Sequence, residues 1–362
     1  MTGVQTCSSD LLLVPYLILM PMFISNLAMA YNDSYREGEL ISEVREKILS
    51  YYVEEMPREK LIKGALQGMA STLDVYSEYL DQESYRQVFE NTEGEFVGLG
   101  IVISIEDGIL TVVSPMDDSP AAKAGILAGD RILAINGEST EGITLNEAML
   151  KLRGKKNTKV SLTVLHENSK ASEVIEVTRD VIHIYSVKDV KMIDQEIGYL
   201  RLIRFNKHTG EELGTSIEKL KKQGMKSIII DLRFNPGGLL DASVDVVDHF
   251  VSDGIIVYTK GRAEESYAVY RAKKDKTYED LGLAILVNKR SASASEVVAG
   301  ALQDYHRAII VGNRTYGKGS VQTIIRLKDE KTAIKLTTAK YYSPAGRSIQ
   351  KGKDNEGGIL PD

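Results

Sequence analysis

The chain has 362 residues, 43% apolar and 27% charged, with a formal net charge of -6, one cysteine and five histidines. That length holds two or three domains with full cores. The acidic balance, with no basic stretch, argues against nucleic-acid binding. Cys7 alone excludes an intrachain disulfide framework and a cysteine-based zinc site. His166, His183, His208, His249 and His306 show no metal-ligand spacing, and no G-x-S-x-G elbow occurs, so a metal site and a histidine-dependent serine hydrolase are both disfavoured.

Leu11 to Ala30 is strongly apolar and ends in Ala28-Met-Ala30, the small-residue pattern of a cleavage site. It reads as a secretory signal peptide or an uncleaved membrane anchor (residues 1–30), which implies an extracytoplasmic protein of the periplasm or cell envelope. Two features run against this: no Lys or Arg precedes Arg36, and Pro15 and Pro21 interrupt a spanning helix. Residues 31–93 follow as a helical segment, with Leu40, Val44, Ile48 and Tyr51, then Leu61, Ala65 and Met69, at helical spacing.

Residues 94–179 read as a small β-rich module. Strands are expected at Val97 to Ile105, Ile109 to Ser114, Arg131 to Ile135 and Val160 to Leu165, with helices at Pro120 to Ala124 and Asn146 to Leu152. From residue 180 to 362 strands and helices alternate. Ile197 to Phe205 is a strand, and Gly210 to Gln223 a helix with Leu213, Ile217 and Leu220 on one face. Ser227 to Leu232 is a continuously apolar strand of the kind covered on both sides. It ends in Arg233-Phe-Asn-Pro-Gly-Gly238, where the glycines permit a strained turn whose N–H groups point into a site, or simply a tight strand-to-helix turn.

The chemistry concentrates between Ser291 and Gln322. Leu283 to Val287 is a short buried strand, and Ser293 with Glu296 matches the S-x-x-E capping box, so a helix starts near Ala294. A serine there is either an N-cap or a nucleophile, since free N–H groups and the positive helix end favour a developing anion. Lys318 follows in Gly317-Lys-Gly319, ahead of a strand from Ser320 to Leu327. A backbone extended from the lysine onward places Lys318 and Gln322 on one face. A lone lysine between glycines is ordinarily a solvated loop residue. When buried, however, it loses its proton more easily and can serve as general base to a serine.

Ser291-Ala-Ser-Ala-Ser-Glu296, Gln303-Asp304 and Tyr316-Gly-Lys-Gly-Ser-Val-Gln322, in that order, resemble the carboxyl-terminal processing proteases, the tail-specific Ser/Lys peptidases. So do Leu73-Asp-Val-Tyr-Ser-Glu-Tyr-Leu80, with Val75 where proline is usual, and Ser343-Pro-Ala-Gly-Arg-Ser-Ile-Gln350. The resemblance implies an α+β or α/β fold: a crotonase/Clp-protease-like α/β core with an inserted β-rich PDZ domain. It assigns the nucleophile to Ser293, the base to Lys318 and its orientation to Gln322. An oxyanion hole would come from Gly237 or Gly238 with the N–H of Ala294, and Asp304 would be structural support. Relatives continue past Gly358-Ile-Leu-Pro-Asp362, so a truncated sequence is expected.

Gly98-Leu-Gly-Ile101, Ser119-Pro-Ala-Ala122 and Gly129-Asp-Arg-Ile-Leu-Ala-Ile-Asn-Gly137 resemble a PDZ domain. The resemblance makes Gly98, Leu99, Gly100 and Ile101 the substrate-binding loop: glycines let N–H groups face a terminal carboxylate, and the last side chain enters an apolar pocket. Arg153 either touches that peptide or is an ordinary exposed charge. The expected partners are protein or peptide substrates with free, apolar C-termini, together with homo-oligomer contacts. No cofactor or metal is expected. A catalytically silent peptide-binding scaffold of the same fold is the rival reading, and the intact Ser293, Lys318 and Gln322 speak against it.

Overall fold

The computed structural model describes residues 35–167, 169–273, 277–352 and 355–362. The apolar leader and Cys7 lie outside them. No helix among the described residues is long and apolar enough to cross a membrane. The chain divides into a unit ending at Tyr79 and a unit from Leu80 to Asp362.

In the first unit, residues 35–51 are helical, and α1 spans Arg58–Ser71. The periodic apolar residues are there, but Leu40, Val44, Tyr51 and Met69 are all at least half exposed, and Ala70 is the buried residue of α1. The Leu73 to Leu80 stretch is not helical. Asp74 Oδ1 accepts the N–H groups of Tyr76 and Ser77, both at 2.8 Å, and so forms a side-chain-closed turn.

The second unit opens with α2 (Gln82–Glu93), capped by Asp81, whose carboxylate accepts from the Ser84 N–H at 2.9 Å. The expected strand from Val97 to Ile105 is broken into β1 (Glu95–Gly98) and β2 (Ile101–Glu106). The break lies at Gly100, where φ is +73° and an added Cβ would lie 2.3 Å from Ser119 Cβ, so only glycine fits. β2 continues into a sheet with β3 (Ile109–Pro115), β4 (Arg131–Ile135), β5 (Lys159–Leu165) and β6 (Glu173–Thr178), all antiparallel and in that order. β5 alternates as its sequence requires, burying Val160, Leu162 and Val164. Helices α3 (Pro120–Lys123) and α4 (Leu145–Leu152) complete the module around Leu99, Leu110, Ile132 and Leu162. β1 instead pairs with β7 (Asp180–His183).

The remaining core has two sheets. In one, β8 (Val187–Met192) pairs antiparallel with β9 (Ile197–Leu202). Parallel to β9 and to one another follow β10 (Ser227–Asp231), β13 (Gly282–Val287) and β14 (Ile309–Gly312). Helices α5 (Thr209–Lys221), α6 (Leu240–Asp248) and α7 (Ala294–Asp304) pack against this sheet, with Leu200, Ile217, Ile230, Val246, Ile285 and Val298 among the residues of one shared core. The apolar run of β10 is covered unequally: Ile228 and Ile230 are buried, and Ile229 on the other face is half-buried. The second sheet contains β12 (Ala268–Arg271), β11 (Ile255–Gly261), β16 (Ala333–Tyr342) and β15 (Ser320–Arg326), paired antiparallel in that sequence. The active-site segments leave the first sheet at the carboxyl ends of β10 and β13, and the second sheet supplies β15.

Candidate active site

The turn after β10 is pinned from inside. Asn235 is fully buried; its Nδ2 donates to Leu202 O at 2.9 Å and its Oδ1 accepts the Gly237 N–H at 2.9 Å. Its carbonyl accepts the Ala292 N–H at 3.1 Å and the Ser295 hydroxyl at 3.0 Å, which joins the Pro-Gly-Gly turn to the start of α7. At Gly237 (φ +98°) an added Cβ would stand 2.8 Å from Ser293 Cβ and 3.0 Å from Ala294 N. At Gly238 (φ +152°) it would stand 2.0 Å from Phe205 O. No side chain is tolerated at either place.

The three serines of the triplet divide cleanly. Ser291 is buried and donates to Leu232 O at 2.8 Å while its Oγ accepts the Asn288 N–H; Ser295 is buried and donates to Asn235 O. Ser293 is the residue between 291 and 302 that is not fully buried. It stands at the N-terminus of the eleven-residue α7 with φ +57° and ψ -117°, a region in which a residue bearing a Cβ is strained.

What holds that strain is Glu296, fully buried on the first turn of α7. Its Oε2 accepts the N–H groups of Ser293 (2.8 Å) and Lys318 (2.9 Å). Its Oε1 accepts the Thr315 hydroxyl (2.5 Å) and the Gly317 N–H (2.6 Å). Burial pushes this carboxyl above the usual carboxylate range, and the four donors work against that shift. One carboxylate therefore clamps the backbone of Ser293 to the backbone of Lys318. The capping-box motif placed Glu296 on Ser293 but gave no sign of its second grip on the lysine loop. The Lys318 carbonyl accepts from the Tyr341 hydroxyl, and Gly317 O from the Lys351 N–H at 2.8 Å.

A cleft of about 680 Å³ is lined by Ser293, Lys318, Gln322, Gly237, Gly238 and Ala294 together. No histidine lines it. The route to this arrangement differs from simple alternation. β15 begins at Ser320, two residues after the lysine, and its pairing with β16 slips between Val321 and Gln322. The bulge turns Ser320, Val321, Gln322 and Ile324 all to the cleft instead of alternate residues only. Gln322 Nε2 donates to Ser320 Oγ at 2.9 Å and Thr337 Oγ1 at 3.2 Å, so its carbonyl oxygen is the end of the amide left to receive a donor. Of the two candidate oxyanion glycines, Gly237 has its N–H committed to Asn235. Among the described residues, the amides of Gly238 and Ala294 donate to no acceptor. Asp304 lies outside the cleft, ion-paired with Arg347 and accepting the Ala345 N–H at 2.9 Å, which is a structural position.

In the β-rich module, a second cavity of about 330 Å³ lies between β2 and α4. Gly98, Leu99, Gly100 and Ile101 line it, with Leu145 and Met149 across from them. The Leu99 carbonyl accepts the Ala121 N–H at 3.0 Å and the Gly100 carbonyl the Met116 N–H at 2.8 Å, while the amides of Leu99 and Gly100 donate to nothing among the described residues. Arg153 is not an ordinary exposed charge. Its side chain is 19% exposed and pairs with Glu90 at 2.8 Å and Glu83 at 3.3 Å on α2, above the Phe96 ring.

Residues 196–362 match peptidase family S41, residues 87–165 match the PDZ domain, and residues 25–84 match the activating protease CtpB N-terminal domain. The chain is 42% identical over 334 residues to the carboxy-terminal-processing protease of Bartonella bacilliformis, covering 91% of this chain and 75% of that one. It is 36% identical over 335 residues to the carboxy-terminal processing protease CtpB of Bacillus subtilis, covering 90% and 68%. Among solved structures, a photosystem II D1 C-terminal processing protease aligns with 29% identity over 88% of this chain and 85% of its own, at a TM-score of 0.49.

Proposed function

The chain belongs to the carboxy-terminal processing proteases of peptidase family S41, and from that premise we propose that it is a serine endopeptidase acting through Ser293 and Lys318 on protein tails held by its PDZ domain. The observation that carries this reading is the shared cleft: Ser293 and Lys318 line it together with Gln322, and both neighbouring serine hydroxyls are spent inside the protein.

In this reading the neutral Lys318 amine takes the Ser293 hydroxyl proton as Oγ attacks the scissile carbonyl carbon. The carbonyl oxygen becomes an oxyanion at the N-terminus of α7, where the amides of Gly238 and Ala294 receive it. The Gln322 carbonyl oxygen orients the lysine. The ammonium then returns its proton to the departing amine, which leaves Ser293 acylated, and water hydrolyses the ester with Lys318 again as base. The rate rises with pH, because the working form of the lysine is the amine.

The PDZ groove supplies the tail specificity. The amides of Leu99 and Gly100 bind the terminal carboxylate, and the cavity between β2 and α4 takes an apolar last side chain. The apolar leader from Leu11 to Ala30 supports an extracytoplasmic location, secreted or anchored. The test is to incubate the purified protein with an unfolded substrate ending in an apolar residue, beside Ser293→Ala. Cleavage by the parent and none by the variant is expected. Equal cleavage by the two would remove Ser293 from the mechanism.

A further inference from the structure

The cleft carries a charge pattern that the chemistry of peptide hydrolysis does not require. Among the described residues that line it, Arg204 and Lys335 stand beside Lys318 and none is an aspartate or glutamate, on a chain whose net charge is -6. Arg204 follows β9 and directly precedes Phe205, which forms an isolated parallel bridge with Gly238 of the Pro-Gly-Gly turn. Lys335 comes from β16, in register with Ile324, another cleft residue. The two cations thus reach one cleft from different sheets.

Arg204 is also incompletely used. Its Nη1 reaches Asn91 Oδ1 at 3.5 Å, an end-of-range contact with a neutral group. Its Nε is buried and has no partner, and no carboxylate pairs with it among the described residues. A guanidinium donates through five N–H groups in a planar fork that fits a carboxylate. With no carboxylate beside it among the described residues, the guanidinium that lines the cleft is placed to pair with a substrate carboxylate entering there.

We propose, resting on the assignment of Ser293 as nucleophile, that the cleft selects substrates with an acidic side chain close to the scissile bond. Arg204 is the specificity-determining residue. Apolar Val88, Ile203, Leu240 and Val321 in the same wall take the neighbouring side chains. The PDZ groove then chooses by chain terminus, and the cleft chooses where along the tail to cut.

The test uses the full chain and one peptide-tagged substrate in which Glu, Gln or Lys is placed in turn at each position flanking the cut. The reading is the ratio of kcat/KM for Glu over Gln within one preparation, so the folded fraction cancels. At one flanking position Glu is expected to exceed Gln about tenfold at low salt, and the ratio to shrink at high salt. Arg204→Glu should invert the order to favour Lys, and Arg204→Gln should bring the ratio toward one; if Arg204→Glu gives no measurable cleavage, Arg204→Gln decides. A ratio near one at every position in the parent, or an undiminished preference in Arg204→Gln, overturns the proposal. Ser293→Ala is run alongside: residual cleavage there would overturn the nucleophile assignment, whatever the charge preference.

Discussion

The cleft at Ser293 and the PDZ groove belong to one unit of the chain but are built on opposite principles. Around Ser293 almost every backbone position is fixed by a buried polar group. Asn235 holds the glycine turn, and Glu296 holds both Ser293 and the lysine loop. Around Leu99 the walls are apolar side chains, and the loop is tied by its carbonyls while its amides stay open. Bond-making chemistry requires placement to a fraction of an ångström, which directional hydrogen bonds supply. Recognition of many different tails asks for an apolar surface that tolerates variation, which hydrophobic packing supplies. Substitutions at the two places should therefore fail differently.

The largest effect is expected within the serine triplet. Ser293→Ala or Lys318→Ala should lower kcat by about 10³-fold or more with the fold intact. Ser291→Ala and Ser295→Ala should leave turnover measurable but lower stability by about 1–3 kcal/mol, because each removes a buried hydrogen bond. Steady-state kinetics beside thermal unfolding separates the two patterns. An active Ser293→Ala with a dead Ser291→Ala would reassign the nucleophile.

Next comes the clamp. Glu296→Gln conserves size, but the carboxylate takes two donors on each oxygen. An amide NH₂ on either side meets at least one backbone N–H that loses its acceptor, at a cost of about 1–3 kcal/mol. Because the orphaned groups belong to Ser293, Gly317 or Lys318, kcat should fall by about 10- to 100-fold with less change in KM. Parent-like kcat with only a lower unfolding temperature would make Glu296 a stability residue and nothing more.

How far these features can be read from residues alone depends on how local their causes are. The α7 start, β13 and the α5 face follow from short-range patterns, and they fall where periodicity and the S-x-x-E spacing put them. β11 and β12 carry no comparable signal: β12 pairs with β11, and β11 is held in its sheet by β16, far along the chain. The bulge at Val321 and Gln322 is likewise set by the partner strand, so alternation put Lys318 and Gln322 on one face but gave no sign that Val321 lines the cleft as well. Arg153 looked exposed because its partners on α2, Glu83 and Glu90, lie seventy and sixty-three positions earlier. The double role of Glu296 is the same lesson, since half of it depends on a loop beyond β14.

At the groove end, amidating a substrate's C-terminus removes its charge and one acceptor. If the Leu99 and Gly100 amides bind the terminus, the lost charge-assisted hydrogen bond is worth about 1.5–3 kcal/mol, or roughly ten- to a hundredfold in binding. Free-acid and amidated forms of one substrate, compared below saturation, should differ in kcat/KM and not in kcat. Equal rates would mean that the groove does not read the terminus.

The smallest expected effect concerns pH and lies in the PDZ module. His166 Nδ1 meets Asp130 Oδ1 at 2.7 Å and its Nε2 meets Glu173 Oε1 at 2.7 Å, so both ring nitrogens face carboxylates and both donate in the imidazolium form. The bond to Asp130, then that to Glu173, raises the imidazole above its ordinary range. A base whose folded pKa lies above its unfolded value adds stability that is complete below the unfolded value of ~6.5. That stability drains away as pH climbs through the raised folded value. The ring is only partly covered and Glu173 is largely exposed, so solvent and salt screen the pair and the effect should be small. His166→Gln keeps a polar side chain without the titration. The difference in unfolding temperature between parent and His166→Gln should be greatest at mildly acidic pH, narrow as pH rises and shrink with added salt. A stability difference constant across pH would show that His166 acts here by packing and not by charge.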